Sequence, residues 1–213
     1  MLLLISGSGH AAHDDFTPVL FSLHMTHIET TLRYPDLTAD TDIDHLTLSF
    51  TEAVHPFLEG RIALGPVSVD QFNQPLTQGL ILNGSTIGFQ LRLHSPRDRP
   101  VSGFLAGGYH YTATADRNAT QEVELRWHEV EFEAGPRLQW SQTLALELGG
   151  TISHLEGTQS ASGAVNQTLG FRLENQFSSF ARLSFATEQD GWIELAVYRQ
   201  ARRGITISFS RLF

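Results

Sequence analysis

Apolar and polar residues alternate with a period of two through most of this chain, the pattern of extended strands with two differently solvated faces. At the C-terminal end Ile205, Ile207, Phe209 and Phe213 share one parity, and Thr206, Ser208 and Ser210 share the other. Ile193, Leu195 and Val197 oppose Glu194, Ala196 and Tyr198, and Ala181, Leu183 and Phe185 oppose Arg182, Ser184 and Ala186. Leu169, Phe171 and Leu173 oppose Thr168, Gly170, Arg172 and Glu174, and Leu144, Leu146, Leu148 and Ile152 oppose Ala145, Glu147, Gly149, Thr151 and Ser153. In these segments every Arg and Glu except Arg211 lies opposite the apolar row. Such sorting predicts strands with one apolar and one polar face, the signal of a barrel, while alternation by itself does not say which face is inside.

The upstream half follows the same rule. Leu46, Leu48 and Phe50 alternate with Thr47, Ser49 and Thr51, and Ile62 and Leu64 with Arg61 and Ala63. Ile87, Phe89, Leu91 and Leu93 alternate with Gly88, Gln90, Arg92 and His94, and Leu105, Tyr109 and Tyr111 form a further row beside Gly107 and Gly108. Val123, Leu125 and Trp127 have odd numbers, whereas Val130, Phe132, Ala134 and Leu138 have even ones. A strand cannot otherwise move its apolar residues between faces, so this switch predicts a β-bulge near His128, and the segment Leu20 to Tyr34 predicts another near His27.

Breakers separate the rows. Pro35 to Asp44, Asp70 to Gln78, Ala115 to Thr120 and Glu156 to Gly163 read as longer outer loops. His55-Pro56, Pro96 to Pro100, Ser141-Gln142 and Ser178-Ser179 read as short inner turns. Aromatics fall near strand ends at Tyr34, Phe57, Trp140, Phe177, Phe180 and Phe213, where membrane interfaces favour them. Ten strands result if Phe180 to Tyr198 is one long strand with a bulge at Asp190-Gly191. A hairpin there would make eleven and require a compensating split or merger. Eight and twelve are the alternative counts.

Composition narrows the classes. There is no Cys, hence no disulfide framework and no thiolate site. All 14 basic residues are Arg, whose rigid fork suits a polar interior full of ion pairs, although coding bias produces the same excess. A net charge of −9 argues against nucleic acid. No apolar run approaches the ~20 residues of a membrane helix, which leaves a strand-built barrel open.

Residues 1–12 resemble the end of a secretory signal peptide, with an apolar run Leu2 to Ile5 and small residues near Ala11 and Ala12; a disordered tail is the alternative. The C-terminal strand, with aromatic Phe213 last and Ile205, Ile207 and Phe209 at alternate positions before it, resembles the signature strand of bacterial outer-membrane β-barrels. Arg211 departs from that pattern. The resemblance implies that residues 13–213 form a single all-β, closed antiparallel up-and-down transmembrane β-barrel in the outer membrane. Its partners would be outer-membrane lipid or lipopolysaccharide and the insertion machinery, which would read Phe213, Phe209, Ile207 and Ile205. A monomer is expected.

The strongest constellation is the set of charges expected inside: Arg61, Arg92, Arg126, Arg172 and Arg182 against Glu59, Glu129, Glu131, Glu133, Glu147, Glu174 and Glu194. Charge in a narrow barrel must be paired, so these predict an Arg–Glu network that fills the interior. A selectivity lining for a small solute is the functional alternative. His24-x-x-His27 is a weak metal pattern, since period two puts the two rings on opposite faces, and Asp40-x-Asp42-x-Asp44 lacks the rest of a calcium loop. No cofactor is called for. Ser153, His154 and Glu156 near a rim are the best catalytic candidates, and His110 sits among tyrosines.

Three readings follow. The first is a non-enzymatic outer-membrane barrel with a structural, adhesion or small-solute role. The second is a barrel enzyme acting on envelope lipid. The third is a soluble lipocalin-like barrel, which would reverse the faces and hold its Leu and Phe inside.

Overall fold

The computed structural model describes residues 19–95, 100–187 and 190–213, and the expected signal remnant at 1–12 lies outside them. The strands are β1 (Val19–Arg33), β2 (Thr38–His55), β3 (Leu58–Phe72), β4 (Ile81–His94), β5 (Val101–Arg117), β6 (Gln121–Gln139), β7 (Leu144–Gly163), β8 (Gln167–Leu173), β9 (Phe177–Ala186), β10 (Gly191–Gln200) and β11 (Arg202–Leu212). All pair antiparallel, mostly with their sequence neighbours. No helix among the described residues is long and apolar enough to cross a membrane.

Ten of these strands, all but β8, close into a ring. The seam joins β1 to β11 from Leu20↔Leu212 to Thr30↔Arg202. Val19 N donates to Phe213 O at 3.1 Å and Phe213 N donates to Val19 O at 3.0 Å, so no backbone edge remains there. The count of ten holds, but by a different route. Phe180 to Tyr198 is two strands, β9 and β10, paired from Trp192↔Ala186 to Gln200↔Ser178. Asp190 adopts φ 50° at the intervening reversal, and Gly191 already opens β10, so the chain turns just ahead of Gly191 rather than bulging there. The compensating merger is β8 with β9. β8 pairs with the outer part of β7 and meets β1 at Leu32↔Leu173 and Arg33↔Arg172, and β9 then continues along the lower part of β7. Ser178 and Ser179, expected as a turn, lie in β9.

Strands β1 to β7 run from 14 to 20 residues, whereas a tilted strand crosses a bilayer in about 9–11. The surplus projects at one end, here the outer end. Along the other half an apolar belt is exposed, with Met25, Leu46, Leu64, Ile87, Phe89, Leu148 and Leu183 among its members. Above the belt the polarity reverses. Val123, Leu125 and Trp127 point inward and are buried, as are Phe171 and Leu173, and Leu169 packs against them from a partly buried position.

No bulge accompanies this reversal. β5 and β6 keep one register from Val101↔Leu138 to Arg117↔Glu122, β6 and β7 pass His128 without a break, and β1 and β2 pass His27 in the same way. The facing of each side chain stays fixed while its surroundings change from lipid to water outside, and from polar to apolar inside. Glu156 to Gly163 is therefore strand rather than loop. The outer connections shrink to 34–37, 73–80, 118–120 and 164–166. Phe57, Trp140, Phe177 and Phe213 are exposed near the ends of the barrel wall, but Phe180 points into the lumen and Tyr34 into the outer core.

Candidate functional site

The lumen is built in tiers by inward positions of period two. Near its lower end, Glu147 on β7 accepts hydrogen bonds from Arg92 Nη2 (2.5 Å), Arg137 Nη1 (3.1 Å) and Arg182 Nη1 (2.9 Å). Arg182 Nη2 reaches Glu133 at 3.4 Å, and its Nε lies 3.3 Å from Glu194. Ser184 Oγ donates to Glu194 at 3.1 Å. Arg92 lies over the Phe104 ring at 4.3 Å and Arg182 over Phe180 at 4.9 Å, so the cations are held by carboxylates on one side and ring faces on the other. Glu147 is almost wholly solvent-free, and such a charge persists only because three guanidinium groups satisfy it.

One tier higher, Arg202 pairs with Glu129 and with Glu131, the latter at 2.9 Å. Ser153 Oγ also donates to Glu131, at 3.3 Å. Glu129, Glu131 and Glu133 occupy successive inward positions of β6, so one strand supplies acid to both tiers. Beside them lies a cavity of about 220 Å³ lined in part by His24, His45, His110, Arg61, Glu129 and Glu131. His24 is fixed by Ser208 Oγ at 2.7 Å and Ser49 Oγ at 2.8 Å. The His110 ring rests against Gly88, where any Cβ would collide with it.

Above the cavity the outer core closes the barrel. Leu82, Val123 and Leu125 are fully buried at its centre, with Trp127 and Phe171 beside them. Tyr34 is buried there: its hydroxyl accepts from Gln71 Nε2 at 2.9 Å, and burial pushes its phenol up to about 12.

The structure therefore unites Arg92, Arg182, Glu129, Glu131, Glu133, Glu147 and Glu194 of the expected set. Arg61 lines the cavity and donates from Nε to Thr51 Oγ1 at 3.3 Å, while Glu59 pairs instead with His94 at 3.5 Å. Three residues are placed otherwise. Arg126 is exposed on the outer half and pairs with Glu124 at 2.5 Å. Arg172 faces outward from β8, and Glu174 pairs outside with Arg33 at 3.6 Å. All three sit where the polarity reverses, so assigning polar residues to the interior inverted them. Two members were missed, Arg137 and Arg202. The signal was present: Arg137 shares the parity of Glu131 and Glu133, and Arg202 that of Ser208.

The other candidates separate. Ser153 is buried inside, whereas His154 is exposed outside with Glu156 at 3.2 Å and Gln176 at 3.3 Å, so the two cannot act as nucleophile and base. His24 points in and His27 points out, where its Nδ1 lies 2.8 Å from Asp44. That hydrogen bond raises the His27 pKa. Asp40, Asp42 and Asp44 follow one another along the outward face of β2. Among the described residues no group of three or more His, Cys, Asp or Glu is arranged to hold a metal ion.

The fold is shared with solved structures at very low sequence identity. The outer-membrane protease OmpT of Escherichia coli has 9% identity and a TM-score of 0.52, over 97% of this chain and 99% of its own. The translocator domain of the autotransporter NalP of Neisseria meningitidis has 8% identity and a TM-score of 0.51, over 95% and 90%. AlkL, an outer membrane protein solved in DMPC lipid bilayers, has 10% identity and a TM-score of 0.50, over 97% and 94%. No family model and no curated protein matches the sequence. Ring closure, apolar belt and this likeness together give the chain the fold of outer-membrane β-barrel proteins, with no narrower subfamily identified.

Proposed function

We propose that this barrel is non-enzymatic, that solutes do not pass through it, and that its role is structural or adhesive, carried by the polar exterior of its projecting outer half. The observation that supports this is a double closure. The Glu147 lattice fills the lumen low down and the Leu82–Leu125–Phe171 core fills it above, both built from the wall strands themselves. A ten-membered ring leaves little space once side chains fill it, whereas open aqueous channels need about sixteen strands. The fold does not decide between enzyme and non-enzyme, since one protein sharing it is a protease. The separation of Ser153 from His154 supports the non-enzymatic reading over action on envelope lipid. The test is conductance: purified protein in a planar bilayer should give no stable single-channel steps. Steady conductance in the unmodified protein, lost when a bulky side chain is added beside the cavity, would establish a solute path instead.

A further inference from the structure

The tip of the β10–β11 hairpin carries two exposed arginines that the barrel itself does not use. Val197 pairs with Ile205 and Tyr198 with Gly204, so Arg199 and Arg203 follow on the two sides of the tip at Gln200, Ala201 and Arg202. Gln200, at φ 85°, makes the sharp reversal. Arg202 points into the lumen and is held by Glu129 and Glu131. Arg199 and Arg203 share the outward parity of Val197 and Ile205 and are exposed. Like charges facing each other across a strand pair repel, so this arrangement costs stability unless an anion joins them.

Among the described residues no side-chain hydrogen bond or ion pair is made by Arg199 or Arg203. The nearest acid in register is Glu29, opposite Arg203, and its own ion-pair contact is with His27 at 4.0 Å. Directly below the two arginines, Val197 and Ile205 are exposed at the top of the apolar belt. A strand rises about 3.3 Å per residue, so both arginines sit two residues above this apolar edge, a separation that fits a headgroup resting over it. Arg172 lies further out on β8, exposed and facing Arg33 across the strand pair. The hairpin is anchored there, with Ala201 N donating to Phe177 O at 3.2 Å and Thr30 Oγ1 donating to Ala201 O at 2.9 Å.

We infer that Arg199 and Arg203 form a binding site for the phosphate of an anionic glycolipid in the outer leaflet. The guanidinium fork matches phosphate oxygens two at a time, and basic residues beside a bilayer attract anionic headgroups. The ligand is a lipid rather than free phosphate, because only a bilayer-embedded molecule engages the arginines and the Val197–Ile205 surface together. The site rests on the membrane reading, and the experiment separates the two.

Protein is inserted in phosphatidylcholine nanodiscs containing either phosphorylated lipid A or its dephosphorylated form, and retained glycolipid is counted by native mass spectrometry. Insertion is checked beforehand by heat-modifiable gel migration. The unmodified chain should retain the phosphorylated form about tenfold or more over the other. Arg199→Gln with Arg203→Gln should abolish that preference, each single variant should lower it, and Arg126→Gln, elsewhere on the outer exterior, should leave it intact. Millimolar inorganic phosphate should not compete. An unchanged preference in the double variant, or in both single variants should the double fail to fold, overturns the site. Competition by free phosphate overturns its assignment to lipid. A wild-type chain that fails to insert refutes the membrane reading and the site with it.

Discussion

Glu147→Gln should unlock the lower lumen without changing its shape. Glu147 accepts from Arg92, Arg137 and Arg182 in a site where its side chain is 2% exposed, while Arg92 and Arg182 are only slightly more accessible. Removing the negative charge leaves Arg182 with Glu133 and Glu194, but leaves Arg92 with little beyond its contact on the Phe104 ring. Breaking a buried ion pair from one side costs about 3–5 kcal/mol, chiefly because a desolvated charge is stranded. The amide keeps one acceptor oxygen, which places the expected cost near the lower end, about 3 kcal/mol. Reversible urea unfolding in lipid vesicles, followed by Trp fluorescence, measures it. Glu124→Gln, which removes the exposed partner of Arg126, should leave the midpoint unchanged. Adding Arg92→Met to Glu147→Gln should recover part of the loss, since it removes the stranded cation. A cost below about 1 kcal/mol, or a double variant less stable than either single one, would refute the claim that this lattice is a coupled, desolvated unit.

Three further outcomes test the reversal of faces, the rim and assembly. Phe171→Ala, inside the outer core, should cost about 3–5 kcal/mol in the same assay, while Arg172→Leu one residue away should be nearly neutral; Leu183→Arg, at the belt, should cost about 2–4 kcal/mol. The bond from His27 to Asp44 raises the histidine pKa above 6.5, so its small stabilisation is full below 6.5 and fades as pH rises through the raised value; in Asp44→Asn, the NMR titration of His27 should move back down. Deleting Phe213 removes both hydrogen bonds that close the seam at Val19, and outer-membrane yield in cells should fall well below that of Arg211→Tyr. Equal yields would show that Phe213 is not an assembly signal.

Much of this barrel was legible in the alternation. Each strand of the ring follows a period-two row, and the ring closes through the terminal strand whose Ile205, Ile207 and Phe209 face outward. The buried carboxylates of β6 and β7 could be named because Glu on the polar parity of a membrane strand has nowhere else to go. Arg211, the departure from the signature row, lies 5.3 Å over the Phe213 ring, consistent with a long stem lying along the wall toward water.

What the sequence determined by itself was which side chains share a face, because parity is a property of the extended backbone alone. It could not decide which face is inside, since that depends on the solvent at each height. Strands longer than the bilayer is thick pass from lipid into water without any local mark, so Val123, Leu125 and Phe171 become core by the same rule that makes Leu183 lipid-facing. The lipid-facing and the inside-out arrangements, posed as rivals, thus occupy the two halves of one barrel. Nor could local sequence give the jog from β8 to β9 or the turn at Asp190, because both depend on which neighbours are free to pair. Closure of the ring decided them, since an unpaired edge in hydrocarbon leaves a row of backbone groups without partners.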